Sequence, residues 1–386
     1  MGPLKGTTII ELAGIGPAPF AGMMLADMGA RVIRIDRTEA TDLGLPGRAP
    51  EMDVLARGRE SIALDLKQPE GLAIVDRLLA RADALIEGFR PGVLERLGLA
   101  PERLLALNPK LVIGRMTGYG QTGPLAERAG HDINYIGLSG ALHAIGRAGQ
   151  APTPPLNLVG DFGGGGMLLA FGIVCAMLEA QRSGKGQIVD AAMVDGSAAL
   201  MAMIYGFRAG GQWADERGVN VLDTGAPWYE TYETRDGKWL AVGAIEKRFY
   251  QELLSGLALD PANLPKQHDR KRWPELRAAF AKRIKEKTRD EWAEIFEPRD
   301  ACVTPILSLD EVPHHRHNKA RAMMIEHAGI MQPAPAPRFS RTKPTAGKPA
   351  TAPGHNTRAV LAECGYSSKE IDALEKSGVV LGAKAP

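Results

Sequence analysis

Short apolar runs alternate with longer stretches of helical periodicity from the start of the chain to residue 210. TTIIELA (residues 7–13) reads as a short buried strand. Gly14-Ile15-Gly16-Pro17 makes a turn, PFAGMMLADMG predicts a helix stopped by Gly29, and ARVIRID predicts a second strand. This βαβ unit is the repeating block of an open parallel sheet. ESIALDLK, DALIEGF and LVIGRMTGYG predict further strands, with helices at PEGLAIVDRLLARA, RPGVLERLGL and PERLLALNP. A glycine-rich helix is expected to begin after Asp161 and run through MLLAFGIVCAMLEAQRSGKG, and GQIVDAAMVDGSAALMAM then supplies strand and helix. The fold class is α/β, with a Rossmann-like large domain built on a parallel sheet.

The pattern changes after residue 210. YETYETRDGKWLAVGAIE alternates around Asp236-Gly237, the dipeptide of a tight hairpin. Helices follow at KRFYQELLSGL, RWPELRAAFAKRIKE and TRDEWAEIF, the last opened by Thr288 and Glu291 at capping-box spacing. ACVTPIL predicts a strand, so 225–325 forms a smaller α+β domain. QPAPAPRFSRTKPTAGKPATAPG (332–354) is a Pro-rich extended connection, and HNTRAVLAECGY and SSKEIDALEKSG are closing helices. The expected division is a large domain from 1–210 and 330–386, a small domain at 225–325, and linkers at 211–224 and 326–354.

Composition narrows the function classes. A chain of 386 residues with 45% hydrophobic and 24% charged residues, 45 glycines and a formal charge of +2 fits a soluble α/β protein. Neither nucleic acid nor a membrane is expected as a partner. No signal-like N-terminus is evident, and no run approaches the ~20 apolar residues of a membrane span. Cys175, Cys302 and Cys364 are too scattered for a disulfide framework, which points to the cytoplasm, and the terminal GAKAP matches no targeting address.

Several candidate motifs are incomplete. Pro19 stands where the third glycine of a dinucleotide-binding G-x-G-x-x-G belongs, and no G-x-x-x-x-G-K-[ST] occurs. His314-His315-x-His317 lacks the acids or cysteines of a metal site and reads as a solvated loop, so no metal is expected.

Two other stretches are richer. His131, after Gly130 and before an amphipathic segment, reads as a helix-start residue or as a general base. Helix starts disfavour an imidazolium and leave amides free for negative charge. Asp161 reads as a helix N-cap or as a functional acid, the latter because Gly163 to Gly166 would let a ligand approach the backbone. Glu246 ends an apolar strand and is uninformative alone. Arg37, Lys67 and Arg90 fall at or beyond predicted strand ends, either as solvated cations or as a cradle for a phosphate-bearing ligand. Met193, Met201 and Met203 are a ligand wall or plain helix core.

With these residues in view the chain resembles the class III CoA-transferase family, and in particular its racemase branch, which acts on α-methylacyl-CoA. The matching blocks include LKGTTIIELAGIGPAPFAGMMLADMGARVIRIDR, SIALDLKQPEG, RPGVLERLGL, GHDINYIGLSG, PLNLVGDFGGGGM and GAPWYETYETRDGKWLAVGAIEKRFY. The resemblance implies an acyl-CoA substrate and an interlocked homodimer, with each active site shared between the large domain of one subunit and the small domain of the other. It places Arg37, the run Leu64, Asp65, Leu66 and Lys67, and Arg90 around CoA, and Gly130, Asp132, Ile133, Asn134 and Tyr135 beside the substrate. It makes His131 and Asp161 catalytic, with Glu246 orienting His131.

The implied reaction is inversion of the α-carbon of a 2-methylacyl-CoA thioester by two-base 1,1-proton transfer through an enolate. The amides near Asp132 are candidate donors to the enolate oxygen, with Gly130 allowing close approach. No cofactor is expected, because CoA is part of the substrate. The alternative is a CoA-transferase in which Asp161 attacks the thioester. A CoA-thioester-binding protein without catalysis would have no use for His131, Asp161 and Glu246 together.

Overall fold

In the computed structural model, which describes residues 2–39 and 49–382, the chain sorts into two compact units. Of the GAKAP tail, residues 383–386 lie outside the described residues. Unit 1 is Met1–Ser139, Leu156–Leu200 and Lys319–Pro386; unit 2 is Gly140–Pro155 and Met201–Asn318. These bounds differ from the expected ones mainly in giving residues 140–155 to unit 2 and ending the middle segment of unit 1 at Leu200.

Unit 1 is built on β1 (Thr8–Leu12), β2 (Arg31–Asp36), β3 (Arg59–Leu64), β4 (Ala84–Glu87), β5 (Val112–Thr117) and β6 (Ile188–Ala192). They run parallel in the order 3-2-1-4-5-6, and the C-terminal strand Val380–Leu381 adds antiparallel to β3 as a seventh. Its helices include α1 (Pro17–Asp27), α2 (Pro69–Leu79), α3 (Val93–Arg96), α4 (Pro101–Leu107), α5 (Asp132–Leu138), α7 (Leu168–Ser183) and α8 (Met193–Leu200), whereas α6 (Ala141–Ala144), α9 (Ala202–Ala209) and α10 (Lys247–Gly256) belong to unit 2.

Helices cover both sheet faces, which is why these strands read as apolar runs. Ile10, Leu12, Ile33 and Ile62 pack with Ile74, Leu94 and Leu104 of α2, α3 and α4. Ile9, Val32, Ile86 and Val112 pack with Ala21 and Leu25 of α1 and with Leu169, Ile173 and Met177 of α7.

Two expectations need correction. The helix expected after Asp161 starts before it, as a π-helix over Leu158–Met167 that continues into α7. Asp161 therefore lies within a helix and is not its N-cap. The combined 26-residue helix is apolar and long enough by length and composition to cross a membrane, contrary to the expected absence of such a run. Within unit 1 it turns Leu169, Ile173 and Met177 into the core and leaves Phe171 and Leu178 exposed. Second, part of the expected linker at 326–354 is a hairpin of β10 (Met324–His327) and β11 (Ile330–Pro333). Its turn rests on Ala328 and Gly329 at φ 53° and 74°, a left-handed pair without the usual Asn-Gly or Asp-Gly signature. Arg57 Nη1 pins it by donating to Gln332 Oε1 at 2.7 Å.

Unit 2 carries an antiparallel sheet of β7 (Tyr229–Glu233), β8 (Trp239–Gly243) and β9 (Val303–Pro305). Gly237 takes φ 75° in the β7–β8 turn. Trp228, Phe280 and Trp292 centre the core, and the capping box at Thr288 and Glu291 forms. The tract at His314 to His317 is a short 3-10 turn followed by the helix Arg316–Ala320, not a plain loop.

Candidate active site

The strand order of unit 1 reverses between β1 and β4, and ligands of open α/β sheets bind beyond the strand C-termini at such a switch point. A cavity of about 330 Å³ opens there, lined by Gly16 and Pro17 after β1, Arg90 after β4, and His131, Tyr135 and Asp161. A second cavity of about 200 Å³ is lined by Arg37 after β2, by Leu64, Asp65, Leu66 and Lys67 after β3, and by Leu12 and Val93. Phe89 borders both. The first thus holds the candidate acid and base with Arg90; the second holds Arg37 and the LDLK run. The sheet creates both groupings, because its parallel strands deliver their C-terminal ends to one edge.

His131 is exposed and is the N-cap of α5, with its N–H donating to Asn134 Oδ1 at 3.0 Å. Asp132 and Ile133 open the helix, where the leading amides have no i−4 carbonyl of the helix to donate to, while the N–H of Asn134 donates to His131 O at 2.8 Å. Ile133 is exposed, whereas Tyr135 is buried and stacks edge-on with Tyr119, their centroids 4.9 Å apart. Burial pushes the Tyr135 hydroxyl up to about 12.

Asp161 is half-buried. Burial raises its carboxyl above the ordinary value, and the nearby negative charge of Asp132 adds to the rise. The hydrogen bond from Asn157 Nδ2, at 3.1 Å, and the charge of His131 oppose it. A carboxyl that keeps its proton longer than usual suits an acid paired with a separate base.

The glycines have a different purpose from the one expected. A Cβ at Gly164 would lie 2.6 Å from Ser197 N, one at Gly165 2.9 Å from Met193 Cγ, and one at Gly166 2.6 Å from Pro17 O. The run lets the π-helix pack against α8 and α1; it does not clear space for a ligand. At Gly130 a Cβ would lie 2.7 Å from the Tyr119 hydroxyl, so this glycine makes room for the Tyr119–Tyr135 pair. The close approach in the cavity comes from Gly16, at φ 68°, where a Cβ would sit 3.4 Å from Asp161 Oδ2.

Other residues also acquire definite tasks. Asp65 accepts from Lys67 N at 3.0 Å and Gln68 Nε2 at 2.9 Å, so its carboxylate shapes the turn into α2. Asp36, the acid that a dinucleotide site would place on a ribose, accepts from Ser61 Oγ at 2.6 Å and Arg34 Nε at 3.0 Å. Met193 is buried and lines the larger cavity, and Met201 and Met203 belong to unit 2. Glu246 also belongs to unit 2, as N-cap of α10.

Sequence reasoning missed the ion pairs behind the cavity walls. Glu87 at the end of β4 is fully buried, pairs with Arg115 Nε at 2.7 Å and accepts from Phe89 N at 2.6 Å, which anchors the Phe89–Arg90 turn. Glu11 pairs with Arg59 Nε at 3.0 Å, and Arg59 also donates to Pro19 O in α1. Charges inside GRM and IEL runs were the only signal, and a strand pattern alone does not say whether such a charge is buried.

Comparison with known proteins gives a consistent picture. Residues 4–357 match the family described as CoA-transferase family III. Alpha-methylacyl-CoA racemase of Mus musculus is 48% identical over 380 residues, covering 98% of this chain and 97% of that protein. The Homo sapiens protein of the same name is 45% identical over 379 residues, with the same coverage. Succinyl-CoA:glutarate CoA-transferase of Homo sapiens is 30% identical over 401 residues, covering 98% of this chain and 90% of that protein. Among solved structures, a CAIB/BAIF family protein from Brucella suis has a TM-score of 0.81 at 28% identity, covering 94% of this chain and 99% of that one. The chain belongs to CoA-transferase family III.

Proposed function

We propose that the protein is a racemase that inverts the α-carbon of 2-methylacyl-CoA thioesters by 1,1-proton transfer. The observation that carries the reading is the meeting of His131 and Asp161 in one cavity at the switch point. One group removes the α-proton, the thioester becomes an enolate, and the other group returns a proton to the opposite face. One must start protonated and the other not. The raised proton affinity of Asp161 supports that division of labour. First-turn amides at Asp132 and Ile133 are proposed donors to the enolate oxygen. Arg37 and Lys67 would meet the CoA nucleotide and Arg90 the arm nearer the thioester. No cofactor beyond the substrate is required by this chemistry.

A homodimer forms part of the proposal. Phe171 and Leu178, seven residues apart on α7 and so on one side of it, are 67% and 49% exposed, an apolar stripe that a second copy would cover. Glu246 would then orient His131 from the partner's small domain. Three free cysteines agree with a cytoplasmic setting.

Incubation with a chiral 2-methylacyl-CoA in D₂O tests the reaction. Racemisation with α-deuterium uptake is expected. Transfer of CoA from the thioester onto a free carboxylic acid, with release of the 2-methyl acid and without racemisation, would establish the transferase reading instead.

A further inference from the structure

Resemblance assigns Asp132 a place beside the substrate, but its side chain points away from solvent, leaving the residue 5% exposed. Oδ2 accepts from the N–H of Gly160 at 2.6 Å and from the N–H of Asp161 at 2.7 Å. Both amides lie in the opening turn of the π-helix, where i→i+5 bonding leaves leading donors without intrahelical partners. Asp132 therefore caps that helix from another element. The cap needs glycine at 160, since a Cβ there would lie 2.6 Å from Oδ2. Oδ1 of Asp132 is buried and has no hydrogen-bond partner among the described residues. A neutral cap would satisfy the same amides without burying an unpartnered carboxylate oxygen, so the charge calls for an explanation.

We propose that Asp132 is a positioning residue that fixes Asp161 relative to His131 and biases Asp161 toward carrying the proton. This inference rests on the two-base reading of the site. His131 is the covalent neighbour of Asp132, so one residue ties the candidate base to the backbone of the candidate acid. Its negative charge opposes ionisation of Asp161. His131, from the start of α5, and Asn157, from the start of the π-helix, act on Asp161 in the opposite sense, and the Tyr135 hydroxyl in the same cavity is held up by burial and in part by the Asp161 charge. From α1 the approach is made by Gly16, and α8 presents Gly196 and Ser197 to the following glycines, none of them charged. No proton passes through Asp132.

The test compares wild type with Asp132→Asn and Asp132→Ala. Asparagine keeps a carbonyl oxygen for both amides but removes the charge. The Asp161 carboxyl is titrated by ¹³C NMR in the free protein, its signal assigned from Asp161→Asn, and α-deuterium uptake is followed against pH. In Asp132→Asn the Asp161 midpoint should fall by about one pH unit, and the matching limb of the rate profile should move with it at unchanged KM. Asp132→Ala, which also loses the cap, should lower kcat by roughly 10–100-fold with CoA still bound. An unchanged midpoint in Asp132→Asn beside normal wild-type exchange overturns this inference alone. Wild-type protein that takes up no deuterium overturns the two-base reading and this inference with it.

Discussion

Asn157 and Asp161 stand one turn apart at the start of the π-helix, and Nδ2 of Asn157 donates to Oδ2 of Asp161 at 3.1 Å. This bond favours the ionised carboxyl, whereas burial favours the protonated one. Asn157→Ala should therefore raise the Asp161 midpoint further. The rate limb that reports Asp161 should move to higher pH; a downward move would assign the bond to the neutral form.

His131→Ala and Asp161→Ala should each lower racemisation by about 10²–10⁴-fold, the usual worth of a placed acid or base. CoA binding, read by calorimetry, should persist because Arg37 and Lys67 line a separate cavity. Glu246→Gln should cost less, about 10–100-fold, as expected for an orienting group. Equal losses in Glu246→Gln and His131→Ala would give Glu246 a direct role.

The raised Asp161 carboxyl also has a stability consequence with a defined sign. The folded state holds this proton above the ordinary value of 3.8, so its contribution to stability is complete below 3.8 and is lost as pH rises through the folded midpoint. Asp161→Asn carries no such penalty. Its melting temperature should match wild type most closely in acid and exceed it increasingly as pH rises through that midpoint. A difference that shrinks over the same range would show that the fold favours the carboxylate.

Gly164→Ala should destabilise unit 1 even though alanine is the better helix former, because its Cβ would meet Ser197 N at 2.6 Å and Gly196 C at 2.9 Å. Overpacking of this kind costs about 1–3 kcal/mol, measurable by urea unfolding. Gly137, with nothing within 4 Å of its Cβ position, is the control.

Arg59→Met should be among the most damaging single changes, by about 3–5 kcal/mol, because it leaves Glu11 buried without its partner. The double change Arg59→Met with Glu11→Leu should recover much of the loss. A double variant no better than the single one would mean that the donation from Arg59 to Pro19 O matters more than the charge pair.

Much of the architecture was legible in the chain, for reasons that are local. Short apolar, β-branched runs separated by helical periodicity specify parallel strands and crossovers, as at TTIIELA and ARVIRID, and a turn glycine marks the hairpin around Gly237. Resemblance of whole blocks supplied the chemistry that local patterns left open at His131 and Asp161. The hairpin at Met324–Pro333 escaped because its turn uses Ala328 in place of an Asn or Asp, and because its second strand is pinned by the long-range bond between Arg57 and Gln332.

By itself, then, the sequence determined the alternation of strands and helices, the helix start at His131 and the residues able to do acid–base work. Tertiary structure alone decided that the glycines after Asp161 serve helix packing, that Asp132 caps the helix carrying Asp161, and that buried pairs such as Glu87–Arg115 support the cavity wall. The physical reason is range. Periodicity and capping depend on neighbours a few residues apart, whereas close packing, desolvation and charge coupling depend on groups that meet only when the chain has folded.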